Sequence, residues 1–112
     1  MKQLTIEELK RAKQLTDSVY LSAVIERLVM VDKWRKKHAI LACQQYRNFL
    51  YLKKKYGEQY ELPPSKDIDE AWHAHILHTE DYINFSQETF GYYLHHHPHH
   101  RKGTITDKQL AE

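Results

Sequence analysis

The chain has 112 residues, of which 41% are hydrophobic and 29% are charged, and its formal net charge is +2 with histidine neutral. This length and composition predict one globular domain, and so small a charge gives no reason to expect nucleic-acid binding. The single cysteine, Cys43, excludes an intrachain disulfide and a thiolate-based zinc site, and it indicates a reducing compartment. Because no apolar run is long enough for a signal peptide or a membrane span, we expect a cytoplasmic protein.

The first part of the chain predicts two helices. Thr5 and Glu8 have the spacing of a capping box, which predicts helix 1 over about residues 5–16. Asp17 or Ser18 is a good cap for helix 2, and the broad apolar stripe of that helix predicts burial between other helices. The stripe consists of Val19, Tyr20, Ala23, Val24, Leu28 and Val31.

A third helix is predicted after a basic stretch in the middle of the chain. Its apolar residues recur at helical spacing and continue to about Tyr56, where Gly57 suits the position just past a helix end. Cys43 lies on the apolar face, which predicts a buried and inert thiol. Lys53–Lys55 suit the negative end of the helix dipole and are expected to be solvated.

Two more helices are predicted after a connector that contains two prolines. Ser65 caps helix 4, over about Lys66–His78, and Thr79 caps helix 5, over about Glu80–Phe90, which Gly91 terminates. No stretch shows the alternation of a strand.

The predicted fold is therefore all-α, a compact bundle of about five helices with a histidine-rich C-terminal segment. Residues 1–103 are expected to form a single helical domain, and residues 104–112 are expected to form a C-terminal tail.

The strongest chemical signal is a cluster of eight of the nine histidines between His73 and His100. On helix 4, the spacing predicts that Asp69 and His73 lie on the inward face with a tryptophan, whereas His75 and His78 point outward. Three further histidines, His97, His99 and His100, are expected to form a polar tail or a weak second metal site.

A reversal of the chain between helix 4 and the segment after Gly91 would bring His95 and His96 close to His73. Asp69 would then be a fourth ligand or would orient the imidazole of His73. Such a set suits a divalent transition metal; we favour zinc, and iron, copper, nickel and manganese are also compatible. A hydrogen bond from His73 to Asp69 within the helix, with no metal, is the simpler interpretation of the same pair.

Short motifs in this region resemble the glycine-rich domain-containing protein-like family. They are Asp69-x-x-Trp72-His73, Thr79-x-x-Tyr82-x-x-Phe85 and, after Gly91, His95-His96-x-Pro98. The resemblance implies a helical domain without a settled biochemical activity, and it singles out His73, His95 and His96. The RNA-recognition and glycine-rich regions of larger members have no counterpart in a chain with three glycines.

Three functions remain open from the sequence. The first is a small metal-binding domain with His73, His95, His96 and Asp69 as ligands. The second is a protein–protein interaction module in which Asp69, Trp72 and His73 are structural. The third is a metal-dependent enzyme, although no known catalytic motif supports a particular reaction. The expected partner is a metal ion or, for the second function, another protein, with no nucleic acid and no membrane, and the oligomeric state is undetermined.

Overall fold

Helices account for the architecture of the computed structural model, which describes residues 4–57 and 62–97. These ranges contain five α-helices and no strands: α1 Ile6–Asp17, α2 Ser22–Met30, α3 Lys36–Tyr56, α4 Lys66–Leu77 and α5 Thr79–Phe90. The predicted all-α bundle is confirmed. None of these helices is both long enough and apolar enough to cross a membrane. The tail predicted over residues 104–112 lies outside the described residues, as do Pro98, His99 and His100.

The capping box predicted for α1 is present. The hydroxyl oxygen of Thr5 accepts a hydrogen bond from the Glu8 backbone N–H, and the Glu8 carboxylate accepts one from the Thr5 N–H. At the other end, Ser18 caps α1, because its backbone N–H donates to the Gln14 carbonyl and its hydroxyl donates to the Leu15 carbonyl. The prediction that Asp17 or Ser18 begins the next helix is therefore wrong, since both residues complete α1.

The helix α2 begins at Ser22, later than predicted, and buries a narrower face. Val24 and Leu28 are fully buried, and Leu21 is buried in the short connection before the helix. Tyr20 and Val31, which belong to the predicted stripe, are 63% and 58% exposed. Both residues lie outside the helix, so helical periodicity does not set where their side chains point.

The long helix α3 is the centre of the bundle and contacts α1, α2 and α4. Tyr46 and Leu50 are fully buried, and Cys43 is buried as predicted. Lys53 is only 8% exposed, so its predicted solvation is wrong. Its ammonium lies 5.7 Å from the ring centroids of Phe49 and of Trp72 on α4, so it forms cation–π contacts with both rings. The aliphatic part of the side chain packs over the core.

A buried chain of hydrogen bonds fixes the segment that follows α5. The indole N–H of Trp72 on α4 donates to the hydroxyl oxygen of Tyr82 on α5, at 2.8 Å. The Tyr82 hydroxyl donates in turn to the Leu94 carbonyl oxygen, at 2.5 Å. All three side chains are buried. These bonds hold residues 94–97 beside α4, so the predicted return of the chain is confirmed.

Candidate metal centre

The orientation of α4 decides which of its histidines reach the core. Ala71, Trp72, Ala74 and His75 are its buried residues, and they span an arc of about 160° at 3.6 residues per turn. His73 lies outside that arc, and its side chain is 55% exposed, whereas His75 is 1% exposed. The predicted facing of these two histidines is therefore wrong. The predicted inward face contained both Trp72 and His73, but the buried arc ends at Trp72, about 100° short of His73.

A carboxylate and two imidazoles nevertheless meet on the side of α4 next to Trp72. Asp69, His73 and His96 each offer one ligand atom, and these three atoms lie within 4.8 Å of one another. One carboxylate oxygen of Asp69 is 2.6 Å from His96 Nε2 and 3.8 Å from His73 Nε2. Because Asp69 and His73 are four residues apart on one helix, their side chains project to the same side.

The imidazole of His96 is held by stacking on both of its faces. Its ring lies 4.0 Å from the Trp72 ring and 4.7 Å from the His73 ring, with interplanar angles of 25° and 27°. Its Nδ1 is 3.2 Å from the His97 carbonyl oxygen, which leaves Nε2 directed at Asp69. A metal-binding histidine usually bonds through its second nitrogen to a carbonyl or a carboxylate in this way.

His95, the other histidine predicted as a ligand, lies outside this group. Its side chain is exposed, and its ring packs against the edge of Tyr93. Burial alternates from Leu94 to His97, as it does in extended chain, where successive side chains point in opposite directions. Leu94 and His96 point inward, so His95 points away. This alternation is visible in the sequence and could have indicated that only one of the two adjacent histidines faces α4.

The donor set fits a divalent transition metal. Two imidazoles and one carboxylate suit zinc or non-haem iron. With metal–ligand distances of about 2.1 Å, the donors of a tetrahedral zinc site lie about 3.4 Å apart. The Asp69–His96 pair would have to open slightly and His73 would have to turn inward, which its exposure allows. Three protein ligands would leave a coordination position for water or another small ligand.

His75 is a functional candidate that the sequence analysis missed. Its Nδ1 lies 2.7 Å from the hydroxyl of Tyr46, while its Nε2 has no hydrogen-bond partner among the described residues. Burial lowers the pKa of His75 to about 4, and the positive charges of His78 and Arg47 act in the same direction. Burial also raises the pKa of Tyr46 well above its ordinary value. The alanines Ala71 and Ala74, which share the buried arc with His75, were the available sequence signal.

Burial has a similar effect on the thiol of α3. It raises the pKa of Cys43 to about 11, and the guanidinium of Arg47 opposes the shift only in part. The thiolate is the reactive form, so Cys43 matches the predicted inert thiol.

A comparison with protein-family models identifies the relationships of the chain. The model of the UCP032817-like family matches residues 10–110. The chain belongs to the UCP032817-like family. The family name describes no activity. Membership corrects the resemblance to the glycine-rich domain-containing protein-like family, which rested on short motifs, whereas the family model matches 101 consecutive positions. No curated protein and no solved structure matches the chain.

Proposed function

We propose that this UCP032817-like protein is a helical metal-binding domain whose ligands are Asp69, His73 and His96. The observation that carries the proposal is the convergence of three metal-ligating atoms within 4.8 Å of one another. Two of them come from adjacent turns of α4, and the third comes from a segment far along the chain. The stacking of His96 between two rings supports a preorganised ligand.

The ligand set favours zinc, and it also suits non-haem iron, copper, nickel or manganese. A metal ion would replace the hydrogen bond between Asp69 and His96. The imidazole of His73 would then move closer to Asp69 to coordinate the same ion. A fourth position would be open to solvent because His73 is on the exposed side of the site. That open position is the feature that metal-dependent catalysis requires, and within the described part of the chain no neighbouring group favours a particular reaction.

The test is a zinc titration of the untagged protein in competition with a chromophoric chelator. We expect one site whose affinity falls at least about tenfold in His73→Ala, since one of three ligands is lost. Because the His73 side chain is exposed, we expect this variant to keep the fold. Asp69→Asn is expected to lose affinity as well, because it removes the negative charge and keeps the shape.

His95→Ala is the matched control, because His95 neighbours the site and lies outside the group of three. It should bind zinc as the wild type does. If His73→Ala and the wild type bind zinc equally, or if His95→Ala alone weakens binding, the proposed ligand set is wrong.

A role as a protein-interaction module has separate support. Tyr92 and Tyr93 are 44% and 38% exposed, and with His95 they give this end of the molecule an aromatic surface. In that case the bond between Asp69 and His96 only fastens the C-terminal segment to α4. Removal of metal by a chelator would then leave the melting temperature unchanged, whereas a resident metal predicts a decrease.

A further inference from the structure

A basic and apolar surface lies where α2 passes into α3. We call it the α2–α3 patch, and it consists of the exposed side chains of residues 30–41. Eight of the nine residues from 30 to 38 are exposed, and Met30 and Val31 are 64% and 58% exposed. None of the three proposed metal ligands belongs to the patch, so it is independent of the metal proposal.

The patch carries a concentrated positive charge. Its four cations are exposed and form no ion pair within residues 4–57 and 62–97: Lys33, Arg35, Lys36 and Lys37. Asp32 is the one acid among residues 30–37. Four cations and one acid give these eight residues a net charge of +3, which exceeds the +2 of the whole chain. The field of the protein is therefore most positive-favouring here, and it attracts a negatively charged surface.

The first half of α3 presents cations and apolar groups on one side. That side consists of Lys36, Lys37, Ile40 and Leu41, which span an arc of about 140° at 3.6 residues per turn. None of the buried residues of α3 falls within this arc. Farther along, near Tyr51, α1 packs against the same side of the helix. Ile40 and Leu41 remain 37% and 52% exposed, so this part of α3 is an amphipathic face without a partner.

The connection between the two helices has a fixed shape. The N–H of Trp34 donates to the Leu28 carbonyl at 2.9 Å, and Lys33 adopts a left-handed conformation with φ of 63°. The ring of Trp34 stacks on His38 at 4.2 Å, and His38 Nε2 lies 2.8 Å from the Asp67 carboxylate. The backbone that carries the cations is therefore ordered before any partner binds, which lowers the entropic cost of binding.

The composition of the patch favours an anionic membrane over an acidic protein as its partner. Protein–protein interfaces are depleted in lysine, whereas clusters of Lys and Arg on an amphipathic helix are typical of proteins that bind anionic lipids. Lysine extends its ammonium to the headgroups while its aliphatic stem covers apolar surface. Stable attachment to a bilayer needs electrostatic attraction and inserted apolar groups together, and the patch offers both.

We propose that the α2–α3 patch docks on the surface of an anionic lipid bilayer. Lys33, Lys36 and Lys37 bind the negatively charged headgroups. Met30 and Leu41 enter the boundary between the headgroups and the acyl chains. The expectation of no membrane partner rested on the lack of an apolar run long enough to span one, and docking on the surface requires no such run.

The test is sedimentation of the chelator-treated protein with vesicles of phosphatidylcholine, alone or with about one-third phosphatidylserine. We expect binding to the anionic vesicles that weakens as the salt concentration is raised. The chelator removes contacts between histidines and lipid that a metal ion would mediate. Equal sedimentation with the two kinds of vesicle would overturn the proposal. Binding of poly-glutamate without binding of anionic vesicles would also overturn it, and would identify an acidic polypeptide as the partner.

Lysine variants assign the charge to the patch. Lys36→Gln should weaken binding to the anionic vesicles about fivefold, the scale of one cation near such a surface. Lys33→Asn should have the same effect with the fold kept, because asparagine tolerates the left-handed conformation. Lys55→Gln is the matched control, since Lys55 is exposed on the same helix about 28 Å from Lys36. Equal losses in Lys36→Gln and Lys55→Gln would show an effect of net charge alone and contradict the patch.

A leucine variant tests the insertion of apolar groups. Leu41→Gln should weaken binding about threefold or more, because the exposed part of the side chain no longer leaves water for the bilayer. Ile83→Gln is the matched control, since Ile83 lies on α5 and is 49% exposed, against 52% for Leu41. Wild-type binding by Leu41→Gln, or an equal loss in the two variants, would overturn the proposed insertion.

Discussion

At the scale of single residues, two histidines two positions apart on α4 have opposite environments. His73 is largely exposed and can turn towards an incoming ion. His75 is enclosed, bonded to Tyr46, and flanked by aromatic rings of α5. His73 is suited to reversible metal binding, whereas His75 is part of the core. Their side chains point about 200° apart around the helix axis, because they are two residues apart.

The buried imidazole makes stability depend on pH. The pKa of His75 is about 4 in the folded protein, against an ordinary value of 6.5. Between these values the unfolded chain binds one more proton than the folded chain at this residue. The contribution of His75 is therefore fully present above about pH 6.5 and is lost as the pH falls towards 4, by about 1.4 kcal/mol per pH unit.

Urea unfolding of the metal-free protein across this pH range checks the prediction. The free energy of unfolding should fall more steeply in the wild type than in His75→Gln, which cannot titrate. His95→Gln is the control and should retain the wild-type slope, because His95 is exposed. Equal slopes for the wild type and His75→Gln would contradict the assignment of His75 as a buried neutral group.

At the scale of elements, the end of α5 determines where the C-terminal segment begins. Gly91 adopts the left-handed conformation, with φ of 81° and ψ of 4°, and its N–H donates to the carbonyls of Ser86 and Gln87. An added Cβ at this position would meet no atom within 4 Å. The cost of a side chain here is therefore a backbone cost alone, and it does not come from a steric clash.

Substitution of Gly91 measures that cost. Gly91→Ala should lower the free energy of unfolding by about 1 kcal/mol, because alanine disfavours the left-handed region. Gly91→Asn should lose less, since asparagine tolerates this conformation. Chemical denaturation of both variants provides the measurement. If Gly91→Asn lowered the free energy of unfolding as much as Gly91→Ala, the left-handed backbone conformation would not be the cause of the loss.

At the scale of the whole molecule, one buried tyrosine joins three parts of the chain. The hydroxyl of Tyr82 accepts from Trp72 and donates to the Leu94 carbonyl, so α4, α5 and the C-terminal segment meet at one atom. Without this junction, residues 94–97 would lose a fixed position and His96 would lose its place between the rings of Trp72 and His73.

Tyr82→Phe should therefore affect stability and the metal site together. The variant leaves a buried N–H and a buried carbonyl without their partner, which should cost about 1–3 kcal/mol of unfolding free energy. It should also weaken zinc binding if the proposed ligands are correct. Tyr93→Phe is the control, because Tyr93 is 38% exposed. Thermal melts and zinc titrations of both variants test this, and an equal effect of the two substitutions would refute the role of Tyr82.

Local rules predicted the helices well because their signals lie within one turn of the chain. The Thr5 capping box, the Ser65 cap and the two glycines after α3 and α5 all occur where the sequence indicated. The predictions failed where a side chain's environment depends on a distant element. Lys53 is buried because the ring of Trp72 lies beneath its ammonium, and helix-dipole reasoning carries no information about that neighbour.

The same distinction holds for the candidate metal centre. The sequence by itself determined an all-α fold and a concentration of imidazole groups near Asp69. Only the tertiary structure decided that His96, and not His95, joins Asp69 and His73, and that His75 enters the core. The physical reason is that periodicity fixes which residues share a face, whereas the packing of α4 against α3 and the Trp72–Tyr82–Leu94 hydrogen bonds fix which face is buried.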